Sequence, residues 1–210
     1  VNLDAGMPDR QSDALNFDFY SMKQKSVVGL NDALKTIEKA KNDSRIKGIY
    51  LDLSSANVGY ATAKELRDKL LSFKESGKFI VSYSTYYSQI AYYIATVSDE
   101  IYMNPQGGVT WQGLCSQIML YKKVMDKVGV EMQVFRHGQF KSAVEPYMCE
   151  HISPANRKQY SVLLHSIWGE ICNSVSEARG ISVEDLNIYA DSLMASRSAK
   201  NAVDLKFVDG

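Results

Sequence analysis

Apolar residues recur at three- and four-residue steps through residues 27–40, where Val27, Leu30, Leu34 and Ile37 make one stripe, and this spacing predicts a helix. After the turn "KNDSRIKG", the run "IYLDLS" alternates and is rich in residues that suit strands. Helical spacing returns in "ATAKELRDKLLSF" through Ala63, Leu66, Leu70 and Phe73, Gly77 closes that helix, and the short apolar run "KFIVSYS" follows. Strand, helix, strand is the unit that builds a parallel sheet.

The alternation continues. A helix is predicted at "SQIAYYIATV", a strand at "EIYMN", a turn at "PQGG", a helix around "LYKKVMDKVG" and a strand at "EMQVFR". A longer helix begins with Ser153 as N-cap and Pro154 in the first helical position and runs to about Ala178. Its stripe of Tyr160, Leu163, Leu164, Ile167, Trp168, Ile171 and Val175 reads as core or subunit-interface packing. Ser182 can cap another short helix, "VEDLNIYA".

With 210 residues, 45% of them apolar, and no repeat or Pro/Gly/Ser-rich linker, the chain is expected to form one α/β domain over residues 1–210. The 24 basic and 24 acidic residues cancel, so the field that draws proteins to nucleic acid or anionic lipid is missing, and no nucleic-acid partner is expected. The longest apolar candidate, "FIVSYSTYYSQIAYYIATV", is broken by Ser, Thr, Gln and five tyrosines and falls short of a membrane span. The chain as given is expected to be soluble. Because it starts at Val1 and stops abruptly at "KFVDG", it reads as a piece of a longer protein from which an anchor would be missing.

Cys115, Cys149 and Cys172 are far apart and odd in number, which fits neither a disulfide framework nor a zinc site, so they are read as ordinary buried thiols. His137, His151 and His165 lack the spacing of helical metal ligands and are read as loop or helix-surface residues. No cofactor and no metal is expected. Dinucleotide, Walker and nucleophile-elbow glycine motifs are all missing, and the lone pair in "QGG" at 106–108 is too weak to define a phosphate loop or an oxyanion hole.

Lys141 stands apart. The run "VFRHGQFKSAVEPYMCEHISPANRKQY" resembles the lysine-bearing segment of the signal peptide peptidase A (protease IV) family in its long, tandem-repeat form, as do "YSQIAYYIATVSDEIYMNPQGGVTWQGL" and "LYKKVMDKVGVEMQVFR". The resemblance spans roughly residues 45–175, with "AVDLKFVDG" in keeping. It implies a crotonase-like or Clp-protease-like fold, a repeated ββα superhelix with a mostly parallel sheet flanked by helices. It also implies a Ser/Lys dyad that degrades cleaved signal peptides, with the lysine of one repeat acting as general base for a serine of the other.

Carried over residue by residue, the lysine falls on Lys141. The serine-bearing repeat reads like "SGGYYIA", and counting back from Tyr92 the nucleophile position is Gln89, which cannot form an acyl-enzyme. Ser88 is expected to point elsewhere if this stretch opens a helix. After "LDL" that repeat has an SPGG-type oxyanion loop, whereas this chain has "SSANVGYA". The chain therefore looks like the lysine half alone, inactive by itself.

The resemblance further implies apolar signal-peptide remnants as substrate, the serine-bearing C-terminal repeat as partner, homo-oligomeric assembly, and a place in the bacterial cell envelope, at the inner membrane with the domain facing the periplasm. Two other readings stay open: a scaffold or oligomerisation domain of the same assembly, and an acyl-thioester enzyme of crotonase type.

A lysine in water titrates near pH ~10.4, so about one molecule in 2,500 is neutral at pH 7. A lysine base needs roughly 4 kcal/mol of bias against its charged form, which desolvation can supply. Phe140, Ala143, Val144 and Pro146 are the apolar neighbours on offer. Of the other residues in the segment, Ser142 is expected to hydrogen-bond the lysine amine or turn the backbone, and Glu145 to be a solvated carboxylate in preference to one that holds a neighbouring arginine across a subunit contact. Arg136 and His137 are read as polar groups at the end of a strand, and Tyr92 and Tyr93 as packing residues.

Overall fold

The computed structural model describes residues 7–10, 17–18, 23–24, 28–54, 56–193 and 198–210. Contacts divide the chain into two compact units, one of Val1–Gln112 with Cys172–Gly210 and one of Gly113–Ile171.

In the first unit a short antiparallel pair, β1 (Phe17–Asp18) and β2 (Lys23–Gln24), precedes α1 (Leu30–Asn42). Then β3 (Gly48–Asp52), α2 (Tyr60–Lys74), β4 (Phe79–Ser84), α3 (Gln89–Ala95) and β5 (Glu100–Met103) follow in the predicted order. The three longer strands form a parallel sheet in the order β3-β4-β5, as expected for strands joined by helices. The expected α/β class, with a parallel sheet and flanking helices, is what the chain adopts.

Alternation decides which side of the sheet is buried. Ile80, Ser82 and Ser84 of β4 and Ile101 and Met103 of β5 are buried, while Tyr50, Phe79 and Tyr102 point to the other, exposed side. α1 packs on α2, which buries Ala63, Leu66, Leu70 and Phe73, the stripe read from the sequence. The Lys78 ammonium donates to the carbonyls of Ala40, Lys41 and Asp43 at 2.6, 2.9 and 2.7 Å, satisfying the orphan acceptors at the end of α1.

The core of this unit is aromatic. Tyr92 stacks on Phe207 with ring centroids 5.2 Å apart and meets Tyr87 and Trp111 edge-on. Its hydroxyl donates to the Phe207 carbonyl at 2.8 Å, and the Trp111 indole N–H donates to the Leu186 carbonyl at 2.8 Å. At the chain's end, Arg179 grips the Asp209 carboxylate with both terminal nitrogens, and the Ile101 N–H donates to the same carboxylate. The "NPQG" turn is closed by the Gly107 N–H donating to the Asn104 carbonyl at 2.7 Å. A Cβ on Gly107 would lie 2.2 Å from the Thr85 carbonyl oxygen, so no larger residue fits without backbone movement.

The second unit carries α4 (Lys122–Lys127) and α5 (Glu145–Met148). α6 (Pro154–Arg179) starts where the Ser153-Pro154 signal placed it, with the Ser153 hydroxyl accepting from the Asn156 N–H at 3.1 Å, and contributes residues to both units. The expected strand "EMQVFR" does not form. A strand exists through its partner's hydrogen bonds, and among the described residues no neighbour pairs with this segment, where Met132 and Phe135 are exposed.

Two further helices, α7 (Val183–Ser192) and α8 (Ala199–Asp204), complete the first unit. Ser182 caps α7, accepting from the Asp185 N–H at 3.0 Å. Ser198 caps α8 in the same manner from the Asn201 N–H, a short helix the sequence reading did not include.

Candidate functional site

In the second unit, Lys141 lies in the loop between the 131–137 segment and α5, and its side chain is exposed. Among the described residues its ammonium makes no ion pair. The proposed apolar enclosure is not provided locally, since Phe140 is 50% exposed, Ala143 is exposed, and Val144 and Pro146 are half-buried.

The backbone around Lys141, by contrast, is held from three directions. Arg136 Nη1 donates to the Lys141 carbonyl at 3.1 Å. Gln159, on the second turn of α6, donates from Nε2 to the Phe140 carbonyl and accepts from the Ser142 hydroxyl, each at 3.3 Å. The Glu145 N–H donates to the Ser142 carbonyl at 3.0 Å. Ser142 therefore turns the backbone and bonds Gln159, the second of its two expected roles.

Glu145 is not the solvated carboxylate read from the sequence. It is 1% exposed, and across residues 113–171 the buried residues are Glu145, Asn156 and Ile171, so this unit is organised around a polar cluster more than an apolar core. Oε1 accepts from the Ser153 hydroxyl at 2.6 Å, and Oε2 accepts from the Ser153 N–H at 3.1 Å and from Asn156 Nδ2 at 2.9 Å. The Arg136 guanidinium stands 3.8 Å away. The Ser153 hydroxyl hydrogen bond, with the Ser153 N–H, Asn156 and Arg136, outweighs desolvation and holds the carboxyl below the usual range. Arg136 is therefore more than a polar strand end: it bridges the carboxylate and the lysine's backbone. Sequence reasoning missed this cluster, although an acid eight residues before a Ser-Pro helix start was its available signal.

In the first unit, Gln89 opens α3 and is 7% exposed. Its Nε2 donates to the Tyr60 hydroxyl oxygen and its Oε1 accepts from the Gln112 N–H, both at 3.1 Å. Ser88 is the N-cap, its hydroxyl accepting from the Ala91 N–H at 3.2 Å, so it is committed to the helix end. Tyr92 and Tyr93 are 0% and 2% exposed and act as packing residues, with the Arg67 guanidinium 5.3 Å from the Tyr93 ring centre. The Gly107 N–H is used within its turn, as described above.

The three histidines are exposed, as read. Of the cysteines only Cys172 is a buried thiol; Cys149 is half-buried and Cys115 is exposed, because its segment lies outside any apolar core. No cluster of three or more metal-ligating side chains occurs among the described residues. No described helix is long and apolar enough to cross a membrane.

The chain is 34% identical over 187 residues to Protease 4 of Salmonella typhi, covering 86% of this chain and 30% of that protein. It is 31% identical to Protease 4 of Haemophilus influenzae, over 95% of this chain and 33% of that protein. It is 36% identical to the chloroplastic serine protease SPPA of Arabidopsis thaliana, over 78% and 24%. The chain thus spans a third or less of the length of these curated relatives. Among solved structures, a membrane-bound stomatin-specific protease superposes with a TM-score of 0.47 at 14% identity, covering 86% of this chain and 70% of that one. An enoyl-CoA hydratase/isomerase family protein from Silicibacter pomeroyi gives 0.31 at 9% identity, covering 79% and 85%. The profile of peptidase family S49 matches residues 72–210, and with these relatives it establishes that the chain belongs to peptidase family S49.

Proposed function

We propose that this chain is the lysine-bearing repeat of a longer serine endopeptidase that degrades cleaved, apolar signal peptides. Lys141 is the general base, and the serine it deprotonates lies on another repeat outside this chain. The hydroxyl proton passes to the lysine amine as oxygen attacks the peptide carbonyl, and the lysine later returns it to the leaving amine.

The observation that carries this reading is the combination of the Lys141 segment with Gln89. Counted back from Tyr92 by the family resemblance, the nucleophile position falls on Gln89, whose amide is bonded on both sides, to Tyr60 and to Gln112. An amide so held supplies no nucleophile, so in this reading Lys141 acts on a serine of another repeat. Lys141 is exposed here, so the desolvation that a lysine base requires comes, in this account, from the remainder of the assembly.

The working enzyme is accordingly a multi-repeat homo-oligomer of the bacterial envelope, on the periplasmic side of the inner membrane, with its anchor outside the matched region and no cofactor. The same exposure of Lys141 supports a second reading, a scaffold repeat without chemistry. Peptide hydrolysis by the full-length parent protein and its Lys141→Ala variant separates them: loss of turnover supports the base, and full turnover supports the scaffold.

A further inference from the structure

We propose that Glu145 is a positioning residue for Lys141, acting through Arg136 to fix the backbone from which the lysine projects. The proposal rests on the reading of Lys141 as general base. A base contributes to rate in proportion to the time it spends in line with its proton donor, and a lysine has four rotatable side-chain bonds, so its backbone has to be fixed by something else.

In this loop the fixing groups form a connected set. α6 presents Ser153 and Asn156 at its start, and both donate to the Glu145 carboxylate. The carboxylate, 1% exposed, faces the Arg136 guanidinium at 3.8 Å, and Arg136 Nη1 reaches the Lys141 carbonyl at 3.1 Å. Gln159, from the same helix, holds the carbonyl of Phe140 and the hydroxyl of Ser142 on either side. Three donors, two from Ser153 and one from Asn156, reach the Glu145 oxygens, and Arg136 adds the opposite charge that a buried carboxylate calls for while its Nη1 also holds the Lys141 carbonyl. Arg136 is what turns a helix cap into a clamp on the lysine loop.

Gly138 completes the arrangement. With φ at +102° it takes a backbone conformation that residues with a Cβ rarely adopt, turning the chain between Arg136 and Lys141 so that the guanidinium can double back onto the lysine's carbonyl.

Peptide hydrolysis by the full-length parent protein tests this with Lys141→Ala, Glu145→Gln, Arg136→Gln and Arg136→Lys. Glu145→Gln is nearly isosteric: its amide oxygen can keep the Ser153 N–H and Asn156 hydrogen bonds while the charge facing Arg136 is lost. Expected are a kcat lowered by about 10- to 100-fold in Glu145→Gln and Arg136→Gln with KM almost unchanged, and a displaced pH profile of kcat/KM. Both contacts of Arg136 run through Nη1, so Arg136→Lys, which keeps the charge on a shorter and differently shaped head group, should recover part of the loss.

Wild-type kcat and pH profile in both Glu145→Gln and Arg136→Gln, with Lys141→Ala inactive, would overturn the positioning role and leave Lys141 as base. An active Lys141→Ala would instead overturn the underlying reading, and this one with it. Should Glu145→Gln fail to fold, Arg136→Gln decides, because Arg136 is 37% exposed and its replacement leaves the Ser153 and Asn156 hydrogen bonds to Glu145 in place.

Discussion

Gln89 Nε2 donates to the Tyr60 hydroxyl oxygen at 3.1 Å, tying the first residue of α3 to the first residue of α2. With Oε1 accepting from the Gln112 N–H, the amide is a structural joint, at the position that the proposed function assigns to the missing nucleophile. Gln89→Ala strips Gln112 of that acceptor and leaves Tyr60 without its donor. A loss of about 1–3 kcal/mol is expected, read as a lower urea midpoint with unchanged slope.

Gly107→Ala is expected to be more damaging. The added Cβ would sit 2.2 Å from the Thr85 carbonyl oxygen, a backbone atom that cannot swing aside. Because the turn lies between β5 and Trp111, the substitution should cost at least about 3 kcal/mol and appear as a large drop in Tm by calorimetry.

Acid should weaken the first unit through Asp209. Burial opposes its charge, but the hydrogen bonds from Arg179 and the Ile101 N–H outweigh burial and hold the carboxyl below the usual range. A carboxyl with a lowered folded value gives stability that is present above about pH 4, where the unfolded group is ionised, and is lost as pH falls through the folded value. Urea midpoints of Asp209→Asn and wild type should therefore differ most near neutrality and converge below about pH 4. A constant difference across that range would count against the linkage.

Thiol reactivity should sort the cysteines by burial. Desolvation pushes the Cys172 thiol up to about 12, so it stays protonated and enclosed at pH 8, whereas Cys115 is exposed. Iodoacetamide followed by peptide mass mapping should label Cys115 in the native chain and Cys172 only after denaturation.

How far the sequence reached follows from how local each determinant is. The start of α6 was legible because Ser153 and Pro154 act on the helix end they sit beside, and the buried stripe of α2 was legible because its period is set by the helix itself. "EMQVFR" has the composition of a strand, but a strand depends on hydrogen bonds from elsewhere, and composition does not report them. Glu145 looked like a surface acid because its partners lie eight and eleven residues away on a helix not yet positioned. Lys141 could be found as a motif, whereas its exposure depends on which chain segments surround it.

The central claim concerns one proton acceptor, so the most direct measurement is turnover of an apolar fluorogenic peptide by the full-length parent protein, wild type against Lys141→Ala. Circular dichroism and oligomeric state should be matched between the two. The account predicts that kcat falls by about 100- to 10,000-fold, the usual contribution of a general base, while the fold is retained. Wild-type turnover in the folded, assembled Lys141→Ala protein would contradict it.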